Sequence, residues 1–482
     1  MTETGRERLR EIARRAMVER GLQPDFPPAA LAEARAAAPP PAASVRDLRD
    51  RLWSSVDNDD TRDLDQLAVA EPLPDAVRVL VAVADVDALV KKGCAVDTHA
   101  QLNTTSVYTA AEIFPMLPER FSTDLTSLGE HEERLALVVE LTVAPDGTVA
   151  ESDVYRALVL NKAKLAYDGV GPWLEGAAPP PARVAAVDGL AEQLRLQDRA
   201  ARAMRELRHQ RGALTLETGE AKAVFEGDAL ADLRSEHKNR ARELVEDQMI
   251  AANAATARFL DARGVPSLRR VLRPPERWDR IVELAAEWGE KLPDQPSAPA
   301  LQAFLAHRQS ADPARFADVS LSVVKLLGSG QYELELPGQA PTGHFGLAAR
   351  DYMHSTAPNR RFSDLATQRL LKAAIARAAS PYSNDELAAL ARQCTEQEDD
   401  AAKVERQVSK SAAALLLSSR VGERFDAIVT GASKKGTWVR IEHPAVEGKL
   451  VRGTDSLDVG ARLRVELLQA DVERGFIDFA RA

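Results

Sequence analysis

Cysteine is scarce in this sequence. Its 482 residues include only two, Cys94 and Cys394, which lie far apart and outside any CxxC or Cys/His spacing. This pattern excludes a zinc ribbon and a disulfide framework. We expect both thiols to be ordinary core or surface residues.

Long hydrophobic runs are also missing. The N-terminal stretch MTETGRERLREIARR carries charge from its start and has no apolar segment, so we expect neither a secretory signal nor a mitochondrial presequence. The longest apolar runs, such as VRVLVAVADV near residue 80, are far shorter than the ~20 residues of a membrane-spanning helix. The sequence therefore predicts a cytoplasmic protein with no membrane partner.

The chain has no excess of positive charge. A net charge of -10 argues against an overall nucleic-acid-binding surface, but it does not exclude a local basic channel. Two groups of arginines are candidates for one: Arg199, Arg202, Arg205, Arg208 and Arg211, and Arg269, Arg270, Arg273, Arg277 and Arg280. Each group is open to two interpretations, phosphate binding or a solvated helix face paired with acids.

Composition and pattern divide the chain into three regions. Residues 1–43 show helical spacing and run into AAAPPPAAS, which predicts a small helix-turn-helix-like domain and a semi-rigid linker. Residues 44–418 mix helical and strand patterns, with a strand near residue 80 and two strands around a turn at 145–147. Ser44 followed by Asp47 predicts a helix leading to Trp53. Residues 419–482 contain short strands between glycine turns, typical of a small closed barrel.

The segment VDNDDTRDLDQ, residues 56–66, is densely acidic. It holds five aspartates, Asp57, Asp59, Asp60, Asp63 and Asp65. Their mutual repulsion is relieved either by solvent or by a hard cation such as Mg²⁺, which prefers oxygen ligands. The spacing leaves both interpretations open. It does exclude an EF-hand loop, because Arg62 stands where that loop requires glycine.

Six blocks of the sequence, in order, carry a family resemblance: SVDNDDTRDLDQLAVAE, VAVADV, TTSVYTAAEIFPMLPERFSTDLTSL, ELVEDQMIAANAATARFL, STAPNRRFSDLATQRLL and KVERQV. Together they resemble the catalytic domain of the ribonuclease II/ribonuclease R (RNB) family of exoribonucleases over roughly residues 45–418. The tail resembles an S1 RNA-binding domain. The resemblance implies a multidomain α+β chain: a helical head with its linker (1–43), a mixed α/β RNB catalytic domain (44–418) and an S1 β-barrel of the OB-fold type (419–482).

The resemblance also implies an activity. The family hydrolyses single-stranded RNA processively from 3′ to 5′ and releases nucleoside 5′-monophosphates with Mg²⁺, for which Mn²⁺ is an alternative. We expect single-stranded RNA as the partner, no protein partner, and a monomer. A rival hypothesis is a catalytically weak RNA-binding protein of the same fold.

That rival arises from one position in the acidic loop. Asp57, Asp63 and Asp65 match the first three of the family's four catalytic aspartates, whereas Gln66 stands where the fourth is normally found. The resemblance implies a metal site formed by Asp57, Asp63, Asp65 and Gln66, with Asp65 orienting the attacking water. An amide oxygen can bind a cation but brings no negative charge.

Other site residues follow from the same blocks. Tyr108 matches an aromatic that stacks on a nucleotide near the 3′ end, and Arg360 matches an arginine that faces the scissile phosphate. Glu405 matches a glutamate at that active site, holding either the arginine or a water. Arg361 is predicted to contact an RNA phosphate or to form a structural ion pair. In the tail, Trp438, beside Lys434 and Lys435, is predicted either to stack on bases or to belong to the core.

Overall fold

The computed structural model describes residues 4–41, 44–217, 220–236, 238–433, 436–441, 443–455, 457 and 460–482. The predicted domain boundary after residue 43 and the predicted basic pair Lys434 and Lys435 lie outside the described residues.

A mostly antiparallel sheet forms the centre of the region 44–418. The first nine strands are β1 (Arg46–Asp47), β2 (Ser54–Asp57), β3 (Gln66–Pro72), β4 (Val77–Ala84), β5 (Val107–Tyr108), β6 (Ile113–Phe114), β7 (Glu133–Val143), β8 (Val149–Leu160) and β9 (Ala163–Ala166). Within the described residues, seven of them form one sheet in the order β1-β8-β7-β4-β3-β2-β9, while β5 and β6 form a separate hairpin. The sheet carries the acidic loop between β2 and β3, and so fixes both ends of that loop.

The strands predicted near residue 80 and around 145–147 are confirmed as β4, β7 and β8. Gly147 in the turn has φ 85°, and a Cβ there would lie 2.1 Å from the carbonyl oxygen of Ala203. The turn therefore requires glycine both for its backbone conformation and for its close approach to the helix that contains Ala203.

Helices cover the sheet and extend beyond it. They are α1 (Gly5–Glu19), α2 (Pro28–Ala36), α3 (Ala95–Asn103), α4 (Tyr167–Leu174), α5 (Ala182–Ala185), α6 (Leu190–Gln210), α7 (Arg240–Asp261), α8 (Trp278–Glu287), α9 (Ala298–Ala311), α10 (Pro313–Leu327), α11 (Phe362–Ala376) and α12 (Asn384–Leu417). Helices α6, α7 and α11 pack towards the sheet, and their small residues, such as Ala255 and Ala366, belong to its buried core. Helices α8, α9 and α10 enclose a smaller core of their own around Phe304 and Phe316.

The tail forms the predicted barrel. The remaining strands are β10 (Glu220–Glu226), β11 (Ala229–Glu236), β12 (Ser267–Val271), β13 (Gln331–Glu335), β14 (Arg424–Ser433), β15 (Gly436–Ile441), β16 (Val446–Arg452), β17 (Arg462–Asp471) and β18 (Phe476–Arg481). Strands β14 to β18 close in the order β14-β15-β16-β18-β17. Antiparallel pairs β10-β11 and β12-β13 lie in the region 44–418.

The helical head predicted at the N-terminus is present as α1 and α2, and both helices pack on the region 44–418. Leu9 and Ile12 of α1 share a buried cluster with the end of α12 and the barrel interior. Glu33 of α2 accepts hydrogen bonds of 2.9 Å from the N–H groups of Ala95 and Val96, at the start of α3. The head is therefore continuous with the cores of the other two regions.

The helix predicted from Ser44 towards Trp53 is wrong. Ser44 has φ 61°, and the following residues form β1, which pairs in parallel with β8. The indole N–H of buried Trp53 donates to the carbonyl of Leu48 at 2.8 Å, which closes the segment into a compact loop. Pairing with an exposed strand edge and burial of one tryptophan outweigh the local capping pattern.

The arginine groups are largely engaged in ion pairs. On α6, Arg205 and Arg208 contact Glu243 and Asp247 of α7 at 2.6 Å. On β12, Arg269 contacts Glu335 and Arg270 contacts Glu398 of α12 in a two-pronged contact. These residues therefore join elements of the fold. Within the described residues, no helix is long and apolar enough to cross a membrane.

Candidate active site

A pocket of about 350 Å³ lies where the acidic loop meets the segment before α11. Seven of the predicted site residues line it: Asp57, Asp63, Asp65, Gln66, Tyr108, Arg360 and Arg361. They come from segments that are far apart in the sequence, and the pocket falls in the size range of small-ligand sites. The structure therefore brings together most of the residues singled out from the sequence.

Asp57 and Asp63 stand at the two ends of the turn in the acidic loop. Asp57 ends β2, and its Oδ1 accepts hydrogen bonds from the Asn58 N–H at 2.7 Å and the Thr61 hydroxyl at 3.1 Å. Asp63 is half-buried, and burial together with the nearby charge of Asp57 raises the pKa of its carboxyl. The repulsion expected from the sequence therefore acts on Asp63.

Asp65 lines the pocket and is only 4% exposed. One carboxylate oxygen accepts the N–H of Asn359 at 3.0 Å, and the other lies 3.5 Å from Nε of Arg360. Burial raises the pKa of Asp65 to about 7, although Arg360 and the Asn359 N–H oppose the shift. Its protonation state therefore changes near neutral pH.

Gln66 is the first residue of β3, and its backbone pairs with Val83 of β4. Its side-chain N–H donates to the carbonyl oxygen of Thr356. The amide therefore contacts the same segment that Asp65 contacts through Asn359.

The donors around the acidic loop are all oxygens, which fits a hard cation. Across the part of the chain that the structure describes, no group of three or more histidine, cysteine, aspartate or glutamate side chains is arranged to hold a metal ion. Mg²⁺ usually takes one or two carboxylates together with waters and substrate phosphate. The residues therefore fit a Mg²⁺ ion that is held partly by the substrate, and they do not form a closed four-ligand site.

Two adjacent arginines have different surroundings. Arg360 leaves 44% of its side chain exposed on the pocket wall. Arg361 makes a two-pronged ion pair with Asp364, with Nε and Nη2 at 2.9 and 2.7 Å from its oxygens. Of the two roles predicted for Arg361, the structure contains the ion pair, and the residue also lines the pocket. Arg360 is better exposed to reach a substrate.

Tyr108 and Glu405 are linked directly. Tyr108 lines the pocket and is 41% exposed as a residue, and its backbone N–H donates to Oε1 of Glu405 on α12 at 2.8 Å. Glu405 is not among the residues that line the pocket. It therefore fixes the strand that presents the aromatic ring.

Trp438 lies on strand β15 of the barrel and is not among the residues that line the pocket. Along β15 the side chains of Thr437, Val439 and Ile441 are buried, while Trp438 alternates with them and is half-buried on the outer face. Of its two predicted roles, this position matches a stacking surface rather than the barrel core.

Several pocket residues were missed from the sequence. They are Asn58, Tyr167, Glu246, Asn253 and Tyr352. Glu246 and Asn253 lie two helical turns apart on α7, so the block ELVEDQMIAAN contained a periodic signal for them. Tyr167 carried no such signal, because it enters the pocket from the start of α4 and has the guanidinium of Arg242 4.6 Å from its ring centre.

Comparison with known families gives two matches. Residues 45–377 match the RNB domain, and residues 423–482 match the RNase II-type exonuclease C-terminal S1 domain. Ribonuclease R of Thermotoga maritima is 28% identical over 473 residues, which cover 90% of this chain and 64% of that protein. Ribonuclease R of Escherichia coli is 29% identical over 83% of this chain and 50% of its own length.

Comparison with solved structures shows the same fold. Mycoplasma genitalium RNase R in complex with ribose-methylated single-stranded RNA superposes with a TM-score of 0.88 at 20% identity, covering 98% of this chain and 77% of that one. Yeast Ssd1, a pseudonuclease, superposes with a TM-score of 0.72 at 16% identity, covering 96% of this chain and 58% of that one. The fold is therefore common to a ribonuclease and to a pseudonuclease.

Proposed function

The chain belongs to the RNB family, and on that premise we propose that it is a processive 3′-to-5′ exoribonuclease that hydrolyses single-stranded RNA to nucleoside 5′-monophosphates. The observation that carries the proposal is the pocket, where buried Asp65 and exposed Arg360 lie 3.5 Å apart beside Tyr108. This reaction needs a carboxylate that orients water, a guanidinium that binds phosphate and an aromatic ring that stacks on a base.

Each residue has a distinct role in the proposed reaction. Asp65 orients the attacking water, and Arg360 stabilises the charge that builds on the phosphoryl oxygens. The Tyr108 ring stacks on a base near the 3′ end, which tolerates all four bases. Arg361, fixed by Asp364, lines the pocket wall beside Arg360.

A divalent metal ion is a general requirement of RNB-family ribonucleases, and we propose Mg²⁺ for this chain, with Mn²⁺ as an alternative. One or two of the carboxylates of Asp57, Asp63 and Asp65 would hold it, together with oxygens of the substrate phosphate. When bound, such an ion polarises the phosphoryl oxygen and lowers the pKa of a water ligand. The protein residues align the water and the phosphate, because phosphoryl chemistry depends mainly on positioning and electrostatics.

The chain spans between 49% and 64% of the length of the first relatives it matches. Its substrates are therefore proposed from the pocket and the family together. We propose a division into a helical head with its linker (1–43), the RNB catalytic domain (44–418) and the S1 domain (419–482). The monomeric state, the absence of a protein partner and the cytoplasmic location stay predictions.

A degradation assay tests the proposed function. A 5′-labelled oligoribonucleotide is incubated with the protein and Mg²⁺, beside the DNA oligonucleotide of the same sequence and an RNA duplex with a 3′ overhang. We expect the single-stranded RNA to shorten to a small limit product with release of mononucleotides. RNA that is bound but remains intact would instead support the catalytically weak RNA-binding protein.

A further inference from the structure

Gln66 occupies a strongly constrained position. Its backbone belongs to β3, between buried Asp65 and buried Leu67. Its side-chain N–H donates to the carbonyl of Thr356, whose side chain is also buried. Because the acceptor is a backbone carbonyl, the nitrogen of the amide must face Thr356.

The segment 356–360 is held on several sides. Asp65 accepts the N–H of Asn359 at 3.0 Å, and Asp364 accepts the N–H of Ala357 at 2.8 Å. The hydroxyl of Thr126 donates to the side chain of Asn359 at 2.6 Å. Asp65 and Gln66, which are consecutive at the start of β3, thus both bind this segment. Asp65 accepts a hydrogen bond from it, and Gln66 donates one to it. The segment ends at Arg360, so these contacts fix the backbone position from which the Arg360 side chain extends.

A carboxylate at position 66 cannot make the Gln66 contact. An ionised aspartate or glutamate only accepts hydrogen bonds, so it would face the Thr356 carbonyl without a donor. It would have to turn away from the segment, and the buried carbonyl would lose its partner. The Gln66 amide therefore differs from a carboxylate in two ways: it carries no negative charge, and it supplies a hydrogen-bond donor to Thr356.

We infer that Gln66 is a positioning residue, which holds the 356–360 segment and thereby Arg360 in the reactive arrangement, and that metal ligation is not its role. Its effect on turnover rests on the proposed function. Its effect on the segment does not.

Two substitutions of similar size separate the donor from the oxygen. Gln66→Glu keeps a side-chain oxygen and adds charge but loses the donor, whereas Gln66→Met loses the donor and the oxygen. Gln101→Glu, at an exposed position on α3, is the control for the change of net charge. Four quantities are measured: kcat and KM on RNA, the Kd for Mn²⁺ by calorimetry on the RNA-free protein, and hydrogen exchange at the N–H groups of Ala357 and Asn359.

We expect both Gln66 variants to lower kcat by a similar factor, about fivefold for one lost hydrogen bond, at unchanged KM. Exchange at Ala357 and Asn359 should rise in both, and Gln66→Met should bind Mn²⁺ within about twofold of the wild-type Kd. The inference fails if Gln66→Glu is as active as the wild type while Gln66→Met is not, if Gln66→Met weakens Mn²⁺ binding markedly, or if exchange is unchanged. A wild-type protein without ribonuclease activity would refute the proposed function, and the exchange and Mn²⁺ data would still decide this inference.

Discussion

At the scale of single residues, Asp65 couples activity to stability. Its pKa is about 7 in the folded protein, against an ordinary value of 3.8, mainly because it is buried. The folded state therefore binds more protons than the unfolded state between about pH 4 and 7, and stability falls as the pH rises through that window. The same ionisation produces the carboxylate that the proposed reaction needs.

Asp65→Asn should therefore have opposite effects on activity and stability. We expect the cleavage rate to fall ~10²- to 10⁴-fold, the usual cost of losing a general base. In metal-free buffer, the variant should gain stability over the wild type at pH 8, by at most roughly 4 kcal/mol, and gain little at pH 4. Urea unfolding at both pH values measures this. An equal difference at both pH values would contradict the assigned pKa.

Replacing the Tyr108 ring should change the end product. Stacking on one base contributes ~1–3 kcal/mol, so Tyr108→Ala should release RNA earlier and leave a longer final fragment. Tyr108→Phe keeps the ring and serves as the matched control, with the wild-type fragment length expected. Gel analysis of 5′-labelled RNA reads both lengths. The same fragment from Tyr108→Ala and the wild type would remove the assigned role.

The residues of the proposed reaction were predicted from the sequence more completely than the residues that hold them in place. Asp57, Asp65, Tyr108 and Arg360 lay in blocks that the family resemblance identified, and the pocket contains them. The role of Asp364 could not be predicted, because it depends on Arg361 and Ala357 reaching the same carboxylate in three dimensions. Distant contacts of this kind leave no local periodicity.

At the scale of elements, α12 supports the short β5-β6 hairpin. Oε1 of Glu405 accepts the N–H of Tyr108, and Val404 and Val408 share a buried cluster with Val107 and Phe114 of the hairpin. Two-stranded hairpins are only marginally stable alone. The position of Tyr108 therefore depends on the helix beneath it.

Glu405→Ala should loosen this hairpin, because the Tyr108 N–H loses its acceptor. We expect KM for RNA to rise about three- to tenfold and hydrogen exchange at the Tyr108 amide to accelerate. Glu405→Gln still offers an oxygen to the N–H and should remain close to the wild type. Equal impairment of Glu405→Gln and Glu405→Ala would contradict this role, because it would show that Glu405 acts through its charge and not as the acceptor of the Tyr108 N–H.

Element prediction succeeded where the local pattern and the tertiary environment agree. Strands β4 and β7 are apolar, which suits a buried sheet. The turn between β7 and β8 contains Gly147, which suits a tight hairpin. The helix predicted after Ser44 failed, because a capping pattern competes there with the free edge of β8 and the burial of Trp53. Neither the edge nor the burial is visible in a short window of sequence.

At the scale of the whole molecule, α1, α12 and the barrel share one core. Leu9 and Ile12 of α1 belong to the same buried cluster as Leu417 and the barrel residues Val429 and Phe479. Glu473 of the barrel also forms ion pairs with Arg8 and Arg15. These contacts imply that the head and the barrel stabilise each other.

Leu9→Ala tests this mutual stabilisation. The side chain is fully buried, so its truncation should cost about 2–5 kcal/mol of unfolding free energy. Because the core is shared, hydrogen exchange in β14 and β17 should also increase. Leu31→Ala, at an exposed position on α2, is the control and should change neither quantity. A loss of protection confined to α1 would show that the head unfolds independently of the barrel.

The identity of the first product tests the central claim most directly. A 3′-labelled single-stranded RNA is mixed with the wild-type protein and Mg²⁺, beside the Asp65→Asn variant, and the labelled product is identified by mass. The account predicts that label appears at once as a nucleoside 5′-monophosphate with the wild type and is nearly absent with Asp65→Asn. Label released first in longer oligonucleotides, or equal release by both proteins, would contradict it.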